Sequence, residues 1–252
     1  METYQILGVK FHSVTTEEAL AKLESFLRED KPHLVVTLGP EMVMRAQEDE
    51  DFKSLVNKAD LVVVDGNGIL WAASRCGVKV PERIAGVELI EKFAQILSKR
   101  TEKEGLFLLG AAPKVAEKTG EELVKKYPGL SLAGTNDGYF KDNDPVLKKV
   151  KDSQAKVIYV ALGSPRQEKW VRDYGEEAGI RIGVGVGGSF DVLSGLKKRA
   201  PQIFIKLRLE WFYRMLCEPS RWRRFLAIPR FMWLVFSKGR GAVEKWKEED
   251  VN

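Results

Sequence analysis

The 252-residue chain carries 41 Lys and Arg against 36 Asp and Glu, a net charge of +5, with 44% hydrophobic residues. This balance belongs to a folded globular chain and excludes a disordered, collagen-like or low-complexity one. Two cysteines (Cys76 and Cys217), far apart and outside any CxxC spacing, and two histidines (His12 and His33) argue against a disulfide scaffold or a zinc module.

In chain order, YQILGVKFHSV reads as a small hairpin turning at Gly8. HLVVTL (33–38), DLVVVD (60–65), GLFLLG (105–110), LSLAGT (130–135), KVIYVALG (156–163) and RIGVGVGG (181–188) read as strands. They are short, rich in β-branched residues and nearly continuous in apolar character, as strands buried on both faces should be. Between them TTEEALAKLESFLRED, EMVMRAQEDEDFKSLVNKA, VELIEKFAQILSKR, KVAEKTGEELVKKY and RQEKWVRDYGEEAG show helical spacing, with Thr16 and Asp142 as expected N-caps. The alternation predicts an α/β fold: a Rossmann-like, mostly parallel sheet with helices on both faces, expected over residues 1–195.

Residues 196–252 are expected to form a helical appendage without strands. Residues 197–252 hold 14 Lys and Arg against 6 Asp and Glu, so they carry +8 and the first 196 residues −3. Ten of the 24 aromatic residues lie there, including Trp211, Trp222, Trp233 and Trp246. Cations interleaved with amphipathic rings suit an anionic membrane surface. Pro219 and Pro229 punctuate short helical pieces, and VEKWKEEDVN reads as frayed. METYQILGVKFHSV lacks the apolar run of a signal peptide, and the wholly apolar run from Phe231 to Phe236 is far short of the roughly 20 residues that span a bilayer. Membrane contact is therefore expected to be peripheral and cytoplasmic.

Ligands of open α/β sheets sit at the carboxyl ends of strands. Four such loops are unusual: Thr37-Leu38-Gly39-Pro40-Glu41, Asp65-Gly66-Asn67-Gly68, Leu162 to Glu168 (LGSPRQE), and Gly183 to Asp191 (GVGVGGSFD). Each has a plainer reading, since Asp before Gly forms turns and glycine-rich strand ends often serve close packing. Walker A is absent, and Gly183 to Gly188 does not form a first-strand GxGxxG. Asp142-Asn143-Asp144 imitates a DxD metal motif but precedes Pro145 and a helix, where an N-cap is the better reading.

DGNG, LGSPRQE, GVGGSFDVLSG and RAP…LEWFYRM…EPSRWRR, in this order and spacing, resemble the WecG/TagA/CpsF family of glycosyltransferases from about residue 3 to about residue 230. The resemblance implies transfer of N-acetylmannosamine from UDP-N-acetylmannosamine to undecaprenyl-diphosphate-linked N-acetylglucosamine, building the β-1,4 linkage unit of wall teichoic acid. A uronate donor or a capsule sugar is the alternative. It further implies Asp65 as general base, followed by glycines that leave space for two sugars. Thr37, Gly39, Asn67, Arg83, Gln167, Gly187, Gly188 and Asp191 would hold donor and acceptor. The tail arginines Arg214, Arg221 and Arg224 would grip the lipid diphosphate bidentately. No metal or other cofactor is expected, because Arg side chains, backbone N–H groups and helix N-termini meet the charge on UDP.

The chain departs from the family pattern at Gly39, where many members carry a sugar-binding Asn. It also departs at Val64 (often Pro), Asn67 (often aliphatic) and Glu88 (often Asp). A homo-oligomer closed by Ile203, Leu207 and Phe212 fits the apolar tail positions. A nucleic-acid-binding protein using the basic tail and a nucleotide-dependent oxidoreductase are the rival classes; nucleic acid is not among the expected partners.

Overall fold

The computed structural model describes residues 1–196, 204 and 226–247. Strands β1 (Glu2–Ile6) and β2 (Val9–Ser13) form the expected hairpin, with Leu7 and Gly8 in left-handed conformation at its turn. Helix α1 (Thr16–Phe26) starts one residue earlier than expected. Thr15 is its N-cap, and its hydroxyl and the Glu18 carboxylate exchange hydrogen bonds with each other's backbone N–H in a capping box.

β3 (His33–Leu38), β4 (Leu61–Val64), β5 (Leu106–Gly110), β6 (Leu132–Asn136), β7 (Val157–Ala161) and β8 (Ile182–Gly185) make a six-stranded sheet among the described residues. Its order is β4-β3-β8-β7-β5-β6, and every pairing is parallel. The strands sit where their apolar runs lie, and both sheet faces are covered.

One face, carrying Val36, Leu38, Val62, Val64, Ile158 and Val160, packs under α2 (Pro40–Ala46), α3 (Glu50–Lys58), α4 (Asn67–Arg75), α7 (Asp144–Asp152), α8 (Arg166–Tyr174) and α10 (Ala227–Lys238). The other, carrying Val35, Leu61, Val63, Val157 and Tyr159, packs under α1, α5 (Gly86–Lys99), α6 (Val115–Lys126) and α9 (Ser189–Leu193).

Several elements differ from the sequence expectation. The helical stretch over 41–59 breaks into α2 and α3, because the Asp49 carboxylate accepts the Phe52 N–H at 2.9 Å and restarts the helix. Helix α4, hidden behind the glycines of DGNG, was not expected. At α7 the N-cap is Asn143, while Asp142 Oδ1 accepts the Asp144 N–H at 3.1 Å in a tight turn.

The tail differs most. Val243–Lys245 is not frayed but forms β9, which pairs antiparallel with β1 and gives the small sheet the order β2-β1-β9. Pro229 does not break α10, since it lies in the first turn, where its missing N–H would have no helical partner. Phe231 and Val235, one helical turn apart, are fully buried in the main core, and Phe231 alone contributes about 2–3 kcal/mol of burial. Residues 227–245 are thus fastened to the body through α10 at one end and β9 at the other.

Candidate active site

β3 leads into α2 on one face, whereas the neighbouring β8 leads into α9 on the other. The chain therefore diverges from two adjacent parallel strands, the arrangement that opens a crevice at their carboxyl ends. Strand alternation then decides which side chains reach it. Thr37 continues the parity of Val35, and Asp65 that of Leu61 and Val63, so both emerge on the α5 side.

Asp65 is held from two directions. Its own N–H donates to the Leu38 carbonyl at 3.0 Å, prolonging the β3–β4 pairing. Its Oδ2 accepts the N–H of Gly86, the first residue of α5, at 3.1 Å, which places the carboxylate at the positive end of that helix. Thr37 Oγ1 donates to the Gly185 carbonyl at 3.1 Å and ties β3 to β8 across the crevice. A Cβ on Gly86 would lie 3.3 Å from Thr37 Oγ1 and 3.4 Å from Asp65 Oδ2, so Thr37, Asp65 and the start of α5 form one close cluster. Arg83 is half-buried beside it. Its neighbour Ile84 donates to the Val64 carbonyl at 2.8 Å, which anchors the loop against the end of β4.

The glycines of DGNG do not open room for sugars as expected. A Cβ on Gly66 would stand 2.4 Å from Pro40 Cδ, and one on Gly68 2.8 Å from Pro40 Cγ. These residues let the starts of α2 and α4 close on each other, with Gly39 as N-cap of α2 and Asn67 as the first residue of α4.

The β8 glycines divide by parity. Gly183 and Gly185 face α8, where a Cβ would collide with Val171 at 2.4 Å and with Gln167 Nε2 at 2.7 Å. They are close-packing residues. Gly187, at φ +50°, stands at the open end, and among the described residues beyond its chain neighbours none comes within 4 Å of a Cβ position there. Gln167 is buried; its Oε1 accepts the Gly187 N–H at 3.0 Å, and its Nε2 donates to Glu168 Oε1 at 2.7 Å. Gly188 caps α9, and Asp191 lies half-buried in that helix.

The predicted residues thus gather in two groups on either side of one crevice. Thr37, Gly39, Asp65, Asn67 and Arg83 lie around β3, β4 and α5; Gln167, Gly187, Gly188 and Asp191 lie around β7, β8 and α9. Arg214, Arg221, Arg224 and the oligomer positions Ile203, Leu207 and Phe212 lie outside the described residues. Sequence reasoning missed Gly86, which acts through its backbone N–H; the signal was a glycine directly ahead of an amphipathic run. Among the described residues no group of three or more His, Cys, Asp or Glu is gathered as for a metal ion.

A parallel α/β sheet with a carboxylate at a strand end beside a glycine-rich loop is a framework that binds its ligand at the carboxyl ends of the strands. The sequence profile of the glycosyl transferase WecG/TagA/CpsF family matches residues 4–244, and the chain belongs to that family. It is 35% identical over 246 residues to the N-acetylglucosaminyldiphosphoundecaprenol N-acetyl-beta-D-mannosaminyltransferase of Bacillus spizizenii, covering 97% of this chain and 95% of the relative. It is 33% identical over 244 residues to the Staphylococcus aureus protein of the same name (96% and 95%), and 32% over 232 residues to that of Bacillus subtilis (92% and 90%).

Proposed function

We propose that this chain is an inverting, metal-independent glycosyltransferase moving N-acetylmannosamine from its UDP donor to undecaprenyl-diphosphate-linked N-acetylglucosamine, in synthesis of the wall teichoic acid linkage unit. The observation that carries the reading is similarity over nearly the whole length of three relatives whose name gives N-acetylmannosaminyl transfer to N-acetylglucosaminyldiphosphoundecaprenol, together with a backbone-anchored carboxylate at a strand end.

The chemistry is a single displacement. Asp65 takes the proton of the acceptor's 4-hydroxyl as that oxygen attacks the anomeric carbon of N-acetylmannosamine, and the bond to UDP breaks on the opposite side. Thr37 contacts sugar hydroxyls, Arg83 approaches the donor diphosphate or the acceptor, and the Gly187-Gly188 backbone approaches the nucleotide, with Asp191 near uridine or ribose. The Asp142-Asn143-Asp144 triplet forms the turn that starts α7, with Asp142 Oδ1 accepting the Asp144 N–H, and no step of the displacement calls on it.

Residues 1–195 carry the transfer, and residues 196–252 hold the enzyme on the membrane and complete the acceptor side, with Arg214, Arg221 and Arg224 on the lipid diphosphate. No helix of the described residues is long and apolar enough to cross a membrane. Peripheral membrane docking, which we place on the cytoplasmic face, is supported as docking by α10, which exposes Met232 (42%), Trp233 (68%) and Phe236 (65%) beside the exposed Arg230, Lys238 and Arg240.

The test is a panel of UDP-sugars with a lipid-diphosphate N-acetylglucosamine acceptor, with and without EDTA. Disaccharide from UDP-N-acetylmannosamine, undiminished by EDTA, is expected. Preference for the uronate donor would overturn the donor assignment, and loss of turnover in EDTA would overturn the metal-free mechanism.

A further inference from the structure

Glu168 lies one residue beyond the predicted donor-binding Gln167. It is fully buried, at 0% exposure, beneath the carboxyl end of β8. A fully buried Glu is rare without partners and calls for an explanation. Its Oε1 accepts from Gln167 Nε2 at 2.7 Å, and Gln167 Oε1 in turn accepts the Gly187 N–H at 3.0 Å. Space for both side chains exists only because residue 185 is glycine: a Cβ there would stand 2.7 Å from Gln167 Nε2 and 2.9 Å from Glu168 Oε1. The Ser164 hydroxyl lies beside the same buried carboxyl.

We propose that Glu168 is a positioning residue that acts through Gln167 to hold the glycine loop at Gly187 in the conformation that receives the donor. The inference rests on the reading that this loop approaches the donor nucleotide. The physical logic is directional. A primary amide offers an acceptor at one end and donors at the other, and a buried amide turned the wrong way would set its NH₂ against the Gly187 N–H. Glu168 Oε1, an acceptor, binds the NH₂ end, which leaves the Gln167 oxygen as the only end facing the loop. Burial pushes the Glu168 carboxyl above the usual carboxylate range. A neutral carboxyl keeps the Oε1 acceptor, so the relay does not require the charge.

Two variants separate this role from plain packing. Glu168→Gln keeps an acceptor oxygen for Gln167; Glu168→Leu removes it at similar volume. Hydrogen exchange at the Gly187 amide, read in the unliganded protein, measures the relay without any substrate. Steady-state kinetics with UDP-N-acetylmannosamine measure its consequence. In Glu168→Leu, Gly187 exchange about tenfold faster is expected, with donor KM raised about tenfold and kcat within about threefold, since one hydrogen bond's orientation is lost. Glu168→Gln should stay within about twofold of the native protein in all three. Unchanged Gly187 exchange in Glu168→Leu, or equal damage in both variants, would overturn the proposal. Should Glu168→Leu fail to fold, Gln167→Met removes the same contact to Gly187, and unchanged exchange there overturns the relay equally. Faster exchange in the variants of a protein that turns over no UDP-sugar would uphold the relay and reject the donor reading.

Discussion

Asp65 Oδ2 accepts the N–H of Gly86 at 3.1 Å, and this one bond joins the end of β4 to the start of α5. It orients the carboxylate with a backbone group that no substitution but proline removes. It also makes residue 86 sensitive to size. A methyl at Gly86 would press on Thr37 and Asp65 at 3.3–3.4 Å and spread the pair. Gly86→Ala should lower kcat about tenfold, because small misplacements of reacting groups are costly. Helix propensity favours Ala, so the thermal midpoint should hold or rise slightly. Paired rate and melting measurements check this.

Gly39→Asn should raise activity. Gly39 adopts φ −109°, an ordinary conformation for any residue, and the atoms that a Cβ would meet, at 2.6–2.8 Å, belong to the end of the exposed Glu41 side chain, which has to swing aside. The added amide restores a hydrogen bond to a sugar hydroxyl worth about 1 kcal/mol, so kcat/KM should rise several-fold to about tenfold. Michaelis kinetics on the two proteins decide it.

His12 sets an acid limit on stability. It is buried, its Nδ1 accepts the Val62 N–H at 2.9 Å, and burial lowers its pKa from 6.5 to about 4. The unfolded chain takes up a proton below about 6.5, whereas the folded one does so only near 4. Stability is therefore full above about 6.5 and falls as the pH drops towards 4, by on the order of 2–3 kcal/mol. Urea midpoints across this window should show that slope. His12→Asn, which retains an acceptor without the titration, should flatten it.

Trp233 and Phe236 should matter to membranes and not to chemistry. Both are exposed on α10, and Arg75 lies over the Phe236 ring at 4.6 Å. The double change to Ser should reduce sedimentation with anionic vesicles about tenfold or more. Turnover of a short-chain, water-soluble acceptor should be unchanged.

The six parallel strands were legible because burial on both faces makes each a continuous apolar run, as in HLVVTL and LVVV. The place of Asp65 at a strand end was legible because a carboxylate closes the apolar run DLVVVD, whereas the role proposed for it came from the family resemblance. The role of the glycines was not legible. Gly183, Gly185, Gly66 and Gly68 serve contacts with Val171, Gln167 and Pro40 that are remote or unmarked in the sequence. β9 escaped for a similar reason: VEK is charged and short, and only its pairing with β1, about 240 residues earlier, makes it a strand. Parity, once the sheet order is known, explains why Thr37 and Asp65 share a face.

Whether Asp65 takes the acceptor proton is decided by single-turnover formation of the lipid-linked disaccharide by Asp65→Asn. The amide keeps an oxygen for the Gly86 N–H, so fold and donor affinity should be preserved. The rate should nevertheless fall by about 10²–10⁴, the range of general-base catalysis. A variant that forms the disaccharide within a few-fold of the native rate would contradict the assignment.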